Sequence, residues 1–269
     1  MATKIHPTAV IDPKAQIDHD VEIGPFNVIG EDVQIGAGTK IGPHCIIEFS
    51  TLGKNNLLTG AAYVGMPPQD WSYKGEHRRF IMGDNNVIRE NVTLHRGAHT
   101  DFTSMGSNCM LMANSHIGHD GRVGNNVILV NCSSPAGHVV IEDRATISGL
   151  VGIHQFTRIG RYAMVSGGGM VNQDIIPYVI AQGDRARPVT LNIVGLRRNG
   201  FTREQIKAIK HVFKTLFFHG LMLKDAVAQL RAENLPPEAA LILDFIENSK
   251  RGIARPRRSG SMLETAVAD

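Results

Sequence analysis

The stretch IGPFNVIGEDVQIGAGTK, residues 23–40, carries an isoleucine at every sixth position, at Ile23, Ile29 and Ile35, each followed directly by glycine. An amphipathic helix repeats at about 3.6 residues and a half-buried strand at every second one, so a period of six is the length of a repeated structural unit. Outward from that stretch the register runs through Ile5, Ile11, Ile17, Ile23, Ile29, Ile35 and Ile41, and after a one-residue slip it resumes at Ile46, Leu52, Leu58 and Val64. It returns at Met82, Ile88 and Leu94, again at Met105, Leu111, Ile117, Val123 and Leu129, and then from Ile141 to Val171, with only Pro135 breaking the last series. Glycine follows the aliphatic residue at Gly24, Gly30, Gly36, Gly42, Gly53, Gly118, Gly124 and Gly160, a density that no helix interior tolerates. The pattern predicts a parallel β-helix. Each hexad supplies one short strand and a corner, the aliphatic side chain points into the prism, and three hexads complete a coil of about 18 residues. Neighbouring coils pair as parallel strands and advance by ~4.8 Å.

The chain of 269 residues, 42% hydrophobic with a net charge of +3, is long enough to bury a sizeable core and too weakly basic to signify nucleic acid. Its N-terminus, MATKIHPTAVIDPKAQ, lacks the apolar core of a secretory signal, and no run of about 18 apolar residues offers a membrane span. A cytosolic protein is expected. The three cysteines, Cys45, Cys109 and Cys132, are odd in number and far apart, which points to free thiols. Basic residues gather at Arg197, Arg198, Arg203, Lys207 and Lys210, and again at Lys250, Arg251, Arg255, Arg257 and Arg258. The first group reads equally as a solvated face or as a dock for an acidic partner.

The hexads fade after Val171, and from Phe201 the period becomes helical. Thr202 with Gln205 forms a capping box, and Ile206, Ile209, Phe213, Leu216 and Phe217 follow along one face to Gly220. Two more helices are expected over 223–232 and 237–249. The domain reading is therefore a β-helix over 1–190 and a small helical domain over 191–269, which closes the C-terminal end and covers the edge of the last coil. Residues 65–81 and 97–104 interrupt the repeat and should leave the coil at corners as protruding loops, which on a rigid scaffold commonly carry function. The first holds Trp71 beside Asp70, a ring placed either to shield the loop base or to touch a ligand.

Histidines recur in NSHIGHD (His116, His119), AGHV (His138) and GIHQF (His154, followed by Gln155). With a coil of about 18 residues, position 119 falls under 137 and then 155, so these side chains should line one edge of the prism as a groove. Such histidines either bind zinc or supply a general base near neutral pH. Asp120 follows His119 directly, a carboxylate able to fix the imidazole tautomer.

With these motifs the chain resembles the bacterial UDP-N-acetylglucosamine acyltransferases that begin lipid A synthesis. The likeness spans almost the whole length: the hexads, HRG at 95–97, NSHIGHD at 114–120, AGHV at 136–139, VGIHQF at 151–156, PYVIAQG at 177–183 and NIVGLRRNGFT at 192–202. It implies a left-handed parallel β-helix in a homotrimer, with active sites between neighbouring subunits. It also implies metal-free, cofactor-free transfer of an (R)-3-hydroxyacyl group from acyl carrier protein to the 3-hydroxyl of UDP-N-acetylglucosamine. On this resemblance His119 is the general base, Asp120 its partner, and the amide of Gly137 the oxyanion donor. His116, His138, His154 and Gln155 line the sugar nucleotide and acyl site, Asp70 contacts the sugar, and Asn192 and Arg198 lie near the nucleotide or pantetheine. Arg197 and Arg198 with their helical neighbours meet the carrier protein. Gly167, in SGGGM, matches the position where a bulky residue shortens the acyl groove, and glycine there implies a longer chain or simply a tight corner.

The chain departs from the family at Ser72, where a lysine is common, at Val194, where a glutamate is common, and at Asn199, where a second arginine is common. These changes bear on acceptor identity. Alternative readings are an acyltransferase of the same fold acting on a 3-amino or other sugar nucleotide, and a zinc carbonic anhydrase-like β-helix.

Overall fold

The computed structural model describes residues 2–257; Arg258 of the terminal basic run lies outside them. Short parallel strands follow one another from Lys4–Ile5 to Met170–Val171, most of them pairing with the strand three places on. Ile5 lies beside Ile23, Ile11 beside Ile29 and Ile17 beside Ile35, so one coil is three hexads. The aliphatic row forms the core, with Ile23, Ile29, Ile35, Leu58, Leu94, Leu111, Ile147 and Val165 all buried.

The slip falls later than the sequence suggests. Ile47, not Ile46, is the buried partner of Ile29, and Leu52 then pairs with Ile35. The missing residue is taken from the corner after Ile47, where Phe49 has φ 42°. Ile46 faces outward because a one-residue shift moves a side chain to the opposite face of its strand.

A second inward position precedes each core aliphatic by two and is filled by Val21, Asn27, Val33, Thr39 and Cys45 in turn. Asn27 Nδ2 donates to the carbonyls of Gly24 (2.8 Å) and Gly42 (2.9 Å), while its Oδ1 accepts from the Cys45 N–H at 2.7 Å. Asn56 and Asn86 repeat the arrangement in the coils above, satisfying corner groups that no strand partner reaches.

From Asp20 onward most corners hold one residue in the left-handed region, and it is seldom the glycine: Asp120 (φ 58°), Asn126 (57°), Cys132 (60°) and His138 (60°) are typical. The glycines after the core residues answer a different need, close approach of the next coil. A Cβ on Gly42 would lie 2.2 Å from the Thr59 carbonyl oxygen.

Between Tyr63–Met66 and Arg79–Met82 the chain leaves the prism as one loop, and between Thr93–His95 and Phe102–Met105 as another. Both loops are shorter than the sequence interruptions, because flanking residues remain in the ladder. Pro135 keeps its inward position and is buried; lacking an N–H, it interrupts the ladder on one face, although the His116 and Gly118 amides still donate to the Ser133 and Pro135 carbonyls.

The coil ends at the antiparallel pair Val179–Gln182 and Arg187–Leu191. Helices α1 (Ile193–Arg198), α2 (Arg203–Phe218), α3 (Leu223–Arg231) and α4 (Pro237–Glu247) follow. The Thr202–Gln205 capping box opens α2, whose buried face is Ile209, Val212, Phe213, Thr215 and Leu216. The last coil's edge is covered by strand Arg187–Leu191 and by the returning segment at 252–254, with Arg158 of that coil over the Phe245 ring of α4: Asp174 N–H donates to the Gly252 carbonyl, and its own carbonyl accepts from Ala254 N–H, both at 2.9 Å. Among the described residues no helix is long and apolar enough to cross a membrane.

Candidate active site

Three coils and both protruding loops meet at one edge of the prism. Asp120 takes the left-handed corner position, and its buried carboxylate is wrapped by the second loop. It accepts hydrogen bonds from the N–H groups of Ala98 (3.1 Å), His99 (3.1 Å) and Thr100 (2.7 Å), from Thr100 Oγ1 (2.6 Å) and from His119 Nδ1 (2.8 Å). Burial alone would raise this carboxyl, but the donors from His119, Thr100 and His99 outweigh it and hold it well below the usual carboxylate range. An ionised carboxylate only accepts, so His119 Nδ1 carries the proton and Nε2 keeps its lone pair.

That lone pair faces the next coil. A Cβ on Gly137 would lie 2.5 Å from both Cε1 and Nε2 of His119, so only glycine leaves the ring in place. The Gly137 N–H has no hydrogen-bond partner among the described residues. A proton acceptor and a free amide donor therefore lie side by side, the pairing that acyl transfer needs at a carbonyl carbon.

Asp70, from the first loop, reaches the same place: its Oδ2 is 3.8 Å from His119 Nε2 and 3.0 Å from His99 Nε2. Hydrogen bonds from the Ser72 hydroxyl, the Ser72 amide and His99 hold Asp70 well below the usual carboxylate range. His138, at the corner above Asp120, stacks on Phe156 at 4.5 Å and on His99 at 5.5 Å. Burial, with smaller repulsion from His119 and His99, lowers its pKa against the pull of Asp120. His116 lies on the adjoining strand, bonded through Nδ1 to Thr93 Oγ1 at 2.8 Å and edge-on to His95 at 4.7 Å. Burial pushes His116 down and His95 down to about 4, so both rings are neutral at pH 7.

The other expected residues stand apart within one chain. His154 occupies the same edge but is exposed, and its Nδ1 accepts from Arg251 at 2.8 Å; Gln155 beside it is exposed too. Asn192 caps α1, accepting from Gly195 N–H and donating to the Tyr162 carbonyl, which sets it and exposed Arg198 over a second edge of the prism. Gly167 lies on the third edge, over Gly149, and is exposed. Trp71 is 99% exposed and therefore shields no loop base in this chain. The sequence reading missed His99 and Thr100, whose role shows only when their backbone is seen around Asp120, and His95, which the HRG motif did contain.

His119, Asp120 and His138 each offer a ligand atom within 4.8 Å of one another. A zinc ion there would have to displace the amide donors from the Asp120 oxygens and the proton from His119 Nδ1, so the donor set fits hydrogen bonding better than ligation.

A β-helix of six-residue repeats with a histidine–carboxylate pair beside a free backbone amide is the framework of a hexapeptide-repeat transferase. Residues 16–49 match the family described as bacterial transferase hexapeptide, and residues 174–254 match the one described as UDP-N-acetylglucosamine O-acyltransferase, domain 2. The acyl-[acyl-carrier-protein]–UDP-N-acetylglucosamine O-acyltransferase of Janthinobacterium sp. (strain Marseille) is 48% identical over 93% of this chain and 99% of its own length. The protein of the same name from Myxococcus xanthus (strain DK1622) is 48% identical over 94% and 99%. The crystal structure of the Francisella novicida UDP-N-acetylglucosamine acyltransferase superposes with a TM-score of 0.92 at 39% identity, covering 98% of both chains. With such likeness over nearly its full length, this chain belongs to the UDP-N-acetylglucosamine O-acyltransferase family and has its left-handed β-helix.

Proposed function

We propose that the chain transfers an (R)-3-hydroxyacyl group from acyl carrier protein to the glucosamine 3-hydroxyl of UDP-N-acetylglucosamine, the first step of lipid A synthesis, in the cytoplasm. The observation that carries the chemistry is the geometry at His119: Nδ1–H anchored on Asp120 and Nε2 free beside Gly137. His119 Nε2 takes the proton of the 3-hydroxyl as its oxygen attacks the thioester carbonyl. The tetrahedral oxyanion receives the Gly137 N–H. As the intermediate collapses, the C–S bond breaks and the leaving thiolate takes the proton back from the imidazolium, which Asp120 stabilises meanwhile.

Asp70 serves as the sugar contact, with His116 and His138 lining the acceptor and acyl sites. His154, Gln155, Asn192 and Arg198 complete the sugar-nucleotide and pantetheine site, and Arg197 and Arg198 receive the acidic carrier protein. Within one chain His119, Asn192 and Gly167 occupy three different edges, a separation that supports assembly as a homotrimer in which edges of different subunits face each other. The fully exposed Trp71 beside the site supports the same assembly. Light scattering should return three chain masses; a monomer would refute it.

The functional test offers the purified chain UDP-N-acetylglucosamine and a mixture of 3-hydroxyacyl carrier proteins, with products read by mass spectrometry. A 3-O-acylated sugar nucleotide is expected, from the longer donors if open Gly167 leaves the groove unblocked. Product only with a 3-amino acceptor would shift the reading to an N-acyltransferase of the same fold, for which Ser72, Val194 and Asn199 are the positions to revert.

Gly137→Ala isolates the oxyanion and base geometry. The new methyl would meet the His119 ring at 2.5 Å and push Nε2 from its line of attack. A misplacement of about 1 Å costs roughly 100-fold in rate, so kcat should fall by that order while the unfolding midpoint stays close to wild type. Unchanged kcat would show that the His119 ring position does not limit the rate; the amide donor, which alanine keeps, is the same in both proteins.

A further inference from the structure

We infer that His99 is a positioning residue for Asp70, bridging the two protruding loops so that the Asp70 carboxylate is presented to the acceptor sugar. The inference rests on the functional reading above, in which Asp70 contacts that sugar.

The two oxygens of Asp70 are held from different directions. Oδ1 accepts from the Ser72 N–H at 2.8 Å and from the Ser72 hydroxyl at 2.7 Å, both within the first loop. Oδ2 accepts from His99 Nε2 at 3.0 Å, which is the tie to the second loop. Since Asp70 is an acceptor here, Nε2 is the protonated nitrogen of His99. The ring is itself fixed in orientation: it stacks on His138 (5.5 Å, 25°), His138 stacks on Phe156 (4.5 Å, 15°), and its edge meets His119 at 6.1 Å. Three nearly parallel rings thus rise along the site edge, and the lowest aims its N–H at Asp70.

The His99 backbone has a separate duty. Its N–H donates to Asp120 whatever the side chain. The ring is about half exposed, its side chain 48% accessible, so removing it leaves no buried cavity and the Asp120 cradle survives. The side chain can therefore be tested apart from the main chain.

The experiment compares kcat and KM for UDP-N-acetylglucosamine in wild type, His99→Ala, His99→Gln, Asp70→Asn and the Asp70→Asn/His99→Ala double variant, all with matched unfolding midpoints. A lost hydrogen bond to a charged group predicts a KM about tenfold higher in His99→Ala with kcat little changed. His99→Gln, whose amide reaches about as far as the ring Nε2, should recover most of the loss. In the double variant His99→Ala should add nothing to Asp70→Asn, because His99 acts only through the carboxylate that the asparagine lacks. A fall in kcat at unchanged KM would mean that His99 serves only to shape the loop around Asp120, and additive effects would mean that it acts independently of Asp70; either overturns the inference. Product from wild type with unaltered kinetics in His99→Ala overturns it alone, whereas no product from wild type overturns the functional reading and this inference with it.

Discussion

His119→Ala is expected to lower kcat by about 100- to 10,000-fold, the range that a positioned general base contributes. The free Gly137 amide remains in the variant, so a residue of oxyanion stabilisation should persist and the reaction should stay measurable above background. Stability should change little. The His119 side chain is only 11% exposed, but it lies at the rim of the prism rather than in the aliphatic core. Its loss removes one of five donors to Asp120 and leaves the three amides and the Thr100 hydroxyl in place. KM for the sugar nucleotide should move far less than kcat, because Asp70 keeps its bonds to Ser72 and His99. The check is initial-rate kinetics at saturating carrier protein, with urea unfolding beside it. Activity within a few-fold of wild type would place the base elsewhere, and His138, 3.5 Å from Asp120, would be the next residue to replace.

The fold was largely legible because its strongest signal comes from one residue class: isoleucine, valine, leucine and methionine at a fixed spacing. The second inward position was illegible for the opposite reason. Val21, Asn27, Thr39 and Cys45 share size rather than polarity, so no hydropathy pattern marks them. The same mixture hid the true place of the slip, since Ile46 and Ile47 are equally apolar and only pairing with Ile29 decides between them.

The His119–Asp120 pair was legible as adjacent residues, and its contact follows from the corner: Asp120 in the left-handed region turns its carboxylate back to the ring of its neighbour. His154 shows where such reasoning stops. Coil register fixes its edge but not its rotamer, and Arg251, far along the chain, turns it aside. The wrapping of Asp120 by residues 98–100 could not be read at all, because the donors are mostly backbone N–H groups that any sequence carries.

Asp120→Asn tests how far the base depends on that wrapping. An amide has one acceptor oxygen, and its nitrogen brings two hydrogens into a site where every neighbour donates. If the nitrogen replaces Oδ2, it faces His119 Nδ1–H, and the imidazole must move its proton to Nε2, where it can no longer act as a base. If it replaces Oδ1, it confronts the Thr100 amide and hydroxyl, at 2.7 and 2.6 Å in the wild type. The first arrangement predicts a loss in kcat of about 10,000-fold, as when the orienting carboxylate of a catalytic triad becomes an amide. Either arrangement leaves buried donors unmatched, at about 1–3 kcal/mol of stability. The pH dependence separates charge from shape. The folded carboxyl is held below its unfolded value, so its contribution to stability is fully present above about pH 4 and is lost as pH falls from there toward the folded pKa. The asparagine variant has no such group. Urea unfolding should therefore show the gap between wild type and variant narrowing below about pH 4 and constant above it, while the rate loss at pH 7 persists at saturating substrate. A gap independent of pH would make Asp120 a packing residue, and His119 would then owe its tautomer to something other than this carboxylate.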